Sequence, residues 1–322
     1  MNNEKWLLGI DIGGTSVKLA FVTEAGDILH KWEIPTNTEN QGKTIISDIG
    51  AAVSEKLTEL NETKEKLKAA GVGAPGPVNT EEGLLFEAVN LGWQGTIHLR
   101  DLVQEQVGVP VAIENDANVA ALGEMWKGAG LGAKDLICIT LGTGVGGGVI
   151  VNGDIVHGAK GAAGEIGHIT SVPNGGYQCN CGKTGCLETL ASATGIVRTA
   201  KDKLEGSAVD STLRQYLQNN DLTAKAIFDA AKAGDQLALE TVDSLADHLG
   251  LAIANIGSLF NPERVVIGGG VSKAGNILLE KIEEYFVKYT FKPVAQSTKL
   301  VFAQLGNDAG IVGAAWLAAN KN

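Results

Sequence analysis

Apolar and polar positions along this chain alternate with a strand-like period, lengthen to a helical period, and then do the same again. Trp6 to Ile10 reads as a strand, Val17 to Val22 as a second, and Ile28 to Ile34 as a third after the turn Glu24-Ala25-Gly26-Asp27. From about Gly42 to Leu60 the side chains Ile45, Ile46, Ile49, Val53 and Leu57 return at helical spacing, which predicts a helix with one buried face. A strand near Ala69 to Ala74 runs into a Gly-Pro loop. Val111-Ala112-Ile113 then passes through Glu114-Asn115-Asp116 into a helix ending near Trp126.

The pattern restarts at Asp135. Residues Asp135 to Thr140 form a strand, Leu141-Gly142-Thr143-Gly144 a turn, and Val145 to Val151 a second strand. This repeats the opening hairpin, with its own Gly-Thr turn, and predicts two related halves facing a common nucleotide. Helices dominate residues 190 to 260. Val265-Val266-Ile267 is a buried strand before Gly268-Gly269-Gly270, and a strand near Val301 leads to a helix from Asn307 to Asn320. No proline- or serine-rich linker separates the halves, so the boundary is a helix crossing rather than a tether.

Composition adjusts this picture only in places. A chain of 322 residues, 44% apolar and 20% charged, has enough apolar surface for two lobes with a large core. The 43 glycines are clustered, as turns that approach a ligand closely would require. With 26 basic and 37 acidic residues the net charge is -11, which argues against a nucleic-acid binder. No apolar run approaches the roughly 20 residues of a membrane span. Met1 to Trp6 lacks the layout of a secretory leader. A cytoplasmic protein is expected.

Asp11-Ile12-Gly13-Gly14-Thr15 joins two strands. Its paired glycines let backbone N–H groups approach phosphate oxygens, Thr15 adds a hydroxyl, Lys18 a positive charge, and Asp11 an oxygen suited to Mg²⁺. An ordinary tight hairpin turn fits the same residues. Gly142, Gly144 and Gly147 match a dinucleotide-binding spacing, as do Gly71, Gly73 and Gly76, but neither run lies between a strand and a helix. A pair of hairpin turns clamping phosphate is the better expectation.

His168, Cys179, Cys181 and Cys186 supply three thiolates and one imidazole, a closed tetrahedral set suited to structural zinc. Gly182 and Gly185 permit the turns that gather the sulfurs. A redox pair is the competing reading, and the segment has no C-x-x-C. Cys138 lies apart in an apolar strand and reads as an inert core thiol.

With these residues in place, the whole chain resembles the ROK family (repressor, open reading frame, kinase), and within it the bacterial glucokinases. The resemblance runs through Asp11 to Thr15 with Lys18, Gly71 to Pro77, Glu114 to Asn118, and Leu141 to Gly148. It continues through Gly161-Ala162-Ala163-Gly164-Glu165-Ile166-Gly167-His168, the cysteine cluster with Glu188, and Gly268-Gly269-Gly270-Val271. It implies an α/β, two-lobed actin-like (ribonuclease-H-like) ATPase fold with a cleft between the lobes. The smaller lobe is expected to comprise residues 1–118 and 305–322, and the larger, zinc-bearing lobe residues 119–304.

The resemblance also implies ATP-dependent transfer to the 6-hydroxyl of glucose, with Asp116 as general base. Asp116 is also placed where a helix N-cap would stand. Asn90, Asn115, Asp116, Glu165, His168 and Glu188 match sugar-binding positions, His168 sharing itself between sugar and zinc. Asp11, Gly13, Gly14, Thr15, Lys18, Thr143, Gly144, Gly268 and Gly269 match the nucleotide side. ATP, Mg²⁺ and structural Zn²⁺ are the implied cofactors, and a homodimer or homotetramer the implied assembly. The alternatives are kinases of mannose, fructose or N-acetylmannosamine, and a non-catalytic sugar-sensing regulator. The family's repressors carry a DNA-binding segment before the first phosphate turn, where this sequence has ten residues that read as a strand.

Overall fold

The computed structural model describes residues 4–321 and builds two sheets on one plan. The first holds β1 (Trp6–Ile12), β2 (Ser16–Val22), β3 (Ile28–Pro35), β4 (Leu67–Ala74) and β5 (Val111–Asn115) in the order β3-β2-β1-β4-β5. The second holds β6 (Leu136–Leu141), β7 (Val145–Val151), β8 (Asp154–Ile155), β9 (Arg264–Gly268) and β10 (Lys299–Phe302) in the order β8-β7-β6-β9-β10. In each sheet the first three strands meander antiparallel, and the last two run parallel to the first. The restart at Asp135 is therefore a repeat of strand order and polarity, not only of a hairpin.

Helices fill the crossovers. Helix α1 (Ile45–Glu59) buries Ile45, Ile49, Val53 and Leu57 against the first sheet, the face its spacing predicts. Helix α2 (Leu99–Val107) precedes β5, and α3 (Asp116–Lys127) follows it directly. The second half contributes α4 (Ala193–Gly206), α5 (Ala224–Lys232), α6 (Gln236–Phe260) and α7 (Asn276–Tyr289). Leu245, Leu249 and Ile253 of α6 lie in the core with Leu278, Ile282 and Phe286 of α7. Sequence periodicity had not marked α7, whose apolar stripe is narrow and flanked by Glu280, Glu283 and Glu284.

The last helix, α8 (Ala309–Asn320), returns to pack on α3 and the first sheet. Its close seat depends on glycine: a methyl group on Gly71 would strike the Ala314 carbonyl, and one on Gly313 the Val119 carbonyl. The helix begins at Ala309 rather than Asn307, because Gly306–Asp308 forms a separate single turn. Helix α3 runs unbroken through position 118, where the sequence reading placed a lobe boundary. Glu124 on α3 is 1% exposed, and its carboxylate accepts the N–H groups of Ala129, Gln304 and Leu305. Those bonds satisfy the buried charge and tie together both passages of the chain between the two halves.

Candidate active site and metal centre

The β1–β2 turn and the start of α3 bring two carboxylates together. Asp11 ends the accessible part of β1, opposite Lys18 in the β1–β2 ladder. Burial pushes the Asp11 carboxyl up to about 6; Lys18 pulls it down and the charge of Asp116 pushes it further up. Asp116 is itself raised, first by burial and also by Glu165, while the N–H of Ala117 opposes the rise. Asp11, Asp116 and Glu165 thus share one field although they come from three separate segments.

Asp116 is the first residue of α3 and not its cap. Asn115 takes the capping role: its Oδ1 accepts from the N–H groups of Ala117 at 2.9 Å and Asn118 at 3.3 Å. Its Nδ2 donates to the Gly76 carbonyl at 3.0 Å, pinning the end of the Gly71–Pro77 segment to the helix start. Asn90 sits on a short turn, Val89–Leu91, and its Cβ would lie 3.7 Å from a methyl placed on Gly14. The first phosphate-type turn and this sugar-side candidate are therefore neighbours. Gly13, Gly14 and Thr15 hold their turn through the Gly13 N–H to the Ser16 carbonyl at 3.0 Å and the Thr36 N–H to the Thr15 carbonyl at 3.0 Å.

The second turn is braced from outside itself. Glu188, at the start of a short helix after the cysteines, accepts the Val145 N–H at 2.9 Å. Its other oxygen lies 4.0 Å from the Cys179 sulfur. A side chain on Gly144 would collide with that carboxylate. The Ala193 N–H donates to the Gly142 carbonyl at 2.8 Å, and Thr143 remains exposed at the tip. Gly269 adopts φ +85 with its α-carbon facing the Leu141 backbone, where any side chain would clash. Gly268 ends β9 beside it.

His168, Cys179, Cys181 and Cys186 converge, with one donor atom from each lying within 4.8 Å of all the others. Cys179 Sγ is 3.6 Å from His168 Nδ1, and Cys181 Sγ is 3.6 Å from Cys186 Sγ. A tetrahedral centre with bonds of ~2.0–2.3 Å needs ligand atoms roughly 3.5–3.8 Å apart, a spacing these two pairs already have. Nδ1 faces the cluster, which leaves Nε2 of His168 for another partner.

A cavity of about 480 Å³ opens beside the second turn, lined by Thr143, Ala193, Phe228, Gly270 and Val271, with Lys225 and Lys232 at its margin. Sequence reading named Gly268 and Gly269 for the adenosine side, but the cavity is lined by the next two residues, Gly270 and Val271, and by Phe228, which it missed. An apolar residue on an amphipathic helix looks like core, and Phe228 is buried. Glu114 and His157 were also missed as a pair; their Oε2 and Nε2 atoms lie 2.6 Å apart. The one local signal was a carboxylate inside the apolar strand β5.

No helix among the described residues is long and apolar enough to cross a membrane. A family model described as the ROK family matches residues 7–321. A curated glucokinase of Halalkalibacterium halodurans is 50% identical over 315 residues, covering 98% of this chain and 95% of that protein. A ROK family glucokinase from Streptomyces griseus, solved with glucose and AMPPNP, superposes with a TM-score of 0.76 at 38% identity, covering 97% of this chain and 99% of the other. A ROK family transcriptional regulator, a homologue of the Escherichia coli Mlc protein, superposes with a TM-score of 0.84 at 28% identity, covering 98% of this chain and 78% of that one. The duplicated sheets are thus the actin-like fold that the sequence led us to expect, and fold alone does not separate kinases from regulators. Matched from Leu7 to Lys321 and half identical to a curated relative along almost its full length, the chain belongs to the ROK family.

Proposed function

We propose that this protein is an ATP-dependent glucokinase, in which Asp116 takes the proton from the sugar's 6-hydroxyl as that oxygen attacks the γ-phosphorus. The meeting of Asp116 with Asp11 and Glu165 between the two hairpin turns carries the proposal. Burial and the neighbouring Glu165 raise the Asp116 carboxyl, which makes it a better acceptor for a hydroxyl proton. The identities to glucokinases support glucose as the acceptor.

The other assignments rest on the resemblance to the family. Asn90, Asn115, Glu165, His168 and Glu188 hold the sugar. Asn115 does so with the amide hydrogen left after its bond to Gly76, and His168 with Nε2. The turns at Gly13-Gly14-Thr15 and Thr143-Gly144, with Lys18, hold the phosphates. The cavity lined by Phe228, Gly270 and Val271 receives the adenine, with Gly268 and Gly269 leading into that wall from β9; a polyphosphate donor would have no use for such a surface. Asp11 would hold Mg²⁺, which supplies charge neutralisation on the phosphates when bound. His168 and the three cysteines would hold Zn²⁺ as a closed structural site. The working protein is a cytoplasmic homodimer or homotetramer, with a smaller lobe of residues 1–118 and 305–322 and a larger one of 119–304.

The test is a coupled assay across glucose, mannose, fructose and N-acetylmannosamine, run with wild type and Asp116→Asn. Glucose should give the highest kcat/KM, and Asp116→Asn should lose about 10²–10⁴-fold in kcat while remaining folded. Higher kcat/KM on another of these sugars would replace the substrate. Undiminished turnover in Asp116→Asn would remove the base.

A further inference from the structure

We propose that Glu114 and His157 form an ion pair that positions Asp116 relative to Glu165 across the two halves of the fold, and that phosphoryl transfer depends on it. The inference rests on Asp116 as the base.

Glu114 is the penultimate residue of β5 and is 2% exposed. A carboxylate so buried is costly unless both oxygens are satisfied, and here each is committed to a different half of the molecule. Oε1 accepts the Asn115 N–H at 2.8 Å and the Asn118 side-chain amide at 2.9 Å. Asn115 caps α3 and Asn118 lies in its first turn, so this oxygen fixes the helix start that carries Asp116. Oε2 meets His157 Nε2 at 2.6 Å. His157 follows β8 of the second sheet, and its carbonyl accepts the Ala163 N–H at 3.0 Å. That bond closes the loop leading into Glu165. The path from Asp116 to Glu165 therefore runs through two side chains, neither of which lines the nucleotide cavity.

His157 instead borders a separate cavity of about 410 Å³ together with Glu81, Arg100, Asp154 and Lys321. The other cations there are engaged. Arg100 donates to the carbonyls of Glu81 and Glu82, both at 3.0 Å, and Lys321 donates to Asp154 at 2.6 Å. His157 is left as the cation that answers Glu114. Its imidazole is raised, first by the hydrogen bond it donates to Glu114; burial and Lys321 oppose, and Asp154 assists. A raised histidine keeps its pair intact at low pH and loses it as pH rises through the folded-state value. The pair should therefore impose an alkaline limb on kcat.

The experiment compares full-length wild type with His157→Ala, His157→Gln and His157→Arg, recording kcat, both KM values and Tm from pH 6 to 9.5. In His157→Ala, kcat should fall about tenfold with KM for ATP nearly unchanged, as expected when reacting groups are misplaced rather than removed. His157→Gln, which keeps a neutral donor, should fall between and show no alkaline limb. His157→Arg should restore kcat and extend it to higher pH than wild type. A purely structural pair would lower Tm in the alanine and glutamine variants while leaving kcat and its pH profile as in wild type, and that outcome overturns the proposal. Asp116→Asn separates the two claims. If it is inactive while every His157 variant behaves as wild type, only the pair fails; if it stays active, the base assignment and the pair's role fall together.

Discussion

The two hairpin turns share strand order, polarity and a Gly-Thr sequence, yet they are supported in opposite ways. The first turn carries its chemistry within itself and its immediate neighbours: Asp11 and Lys18 belong to the two strands it joins. Gly14 has room, at ordinary contact distance from Asn90, while a methyl on Gly13 would press on the turn's own Ser16 carbonyl. The second turn has no charged residue between Leu141 and Val151. Its charge comes from Glu188, more than forty positions later, whose other oxygen lies 4.0 Å from Cys179 of the candidate metal cluster. A duplicated scaffold can thus keep its backbone geometry while one copy concentrates reactive groups and the other is rigidified from outside.

The largest expected effect lies in the first turn. Asp11→Asn should lower kcat by about 10²–10³-fold, the scale seen when one electrostatic contact to a developing charge is removed. The same change should raise Tm at pH 7.5 by a few degrees. With a folded-state value of about 6 against 3.8 in the unfolded chain, ionised Asp11 opposes folding, and stability from this group falls as pH climbs from about 4 to 6. Scanning calorimetry at pH 5 and 7.5 reads the sign, and a Tm lower than wild type at pH 7.5 would contradict it.

In the second turn, Cys181→Ala should act at a distance. Loss of one ligand from the donor set should lower Tm and raise the KM for glucose by about tenfold, because His168 and Glu188 lose their anchor. Elemental analysis should show the metal in wild type and its depletion in the variant. Active wild-type protein without metal would break the contrast between the turns.

The smallest and sharpest test pairs two glycines. Gly144→Ala must displace Glu188 from the Val145 N–H and should cost about 1–3 kcal/mol. Gly14→Ala meets only ordinary contacts and should change stability by less than about 1 kcal/mol. Urea denaturation distinguishes them, and equal losses would mean the turns are braced alike.

Much of this was legible without tertiary structure. Periodicity placed the paired hairpins, α1 and α3, because a strand or an amphipathic helix writes its buried face into consecutive residues. The H-x10-C-x-C-x4-C segment was legible because short loops with Gly182 and Gly185 bring local ligands together. Glu114, Glu124 and Phe228 were not. Each has a role set by partners distant in the chain: His157, the Gln304–Leu305 backbone, and Val271 across the cavity. Asp116 shows the line between the two most clearly. Its segment was recognisable in the sequence, but sequence left open whether it capped α3; the fold gave the cap to Asn115, while Asp116, the first residue of the helix, shares the Ala117 N–H through Oδ1 at 2.8 Å.

What the sequence alone determined is the repeated strand pattern and the candidate metal-ligand cluster, written in local spacing, and, through its resemblance to known proteins, the family. What only the tertiary structure decided is which carboxylates share a field and which are engaged by backbone N–H groups. Electrostatic coupling and desolvation depend on distances through space, and those exist only once the two sheets and the helices between them have packed.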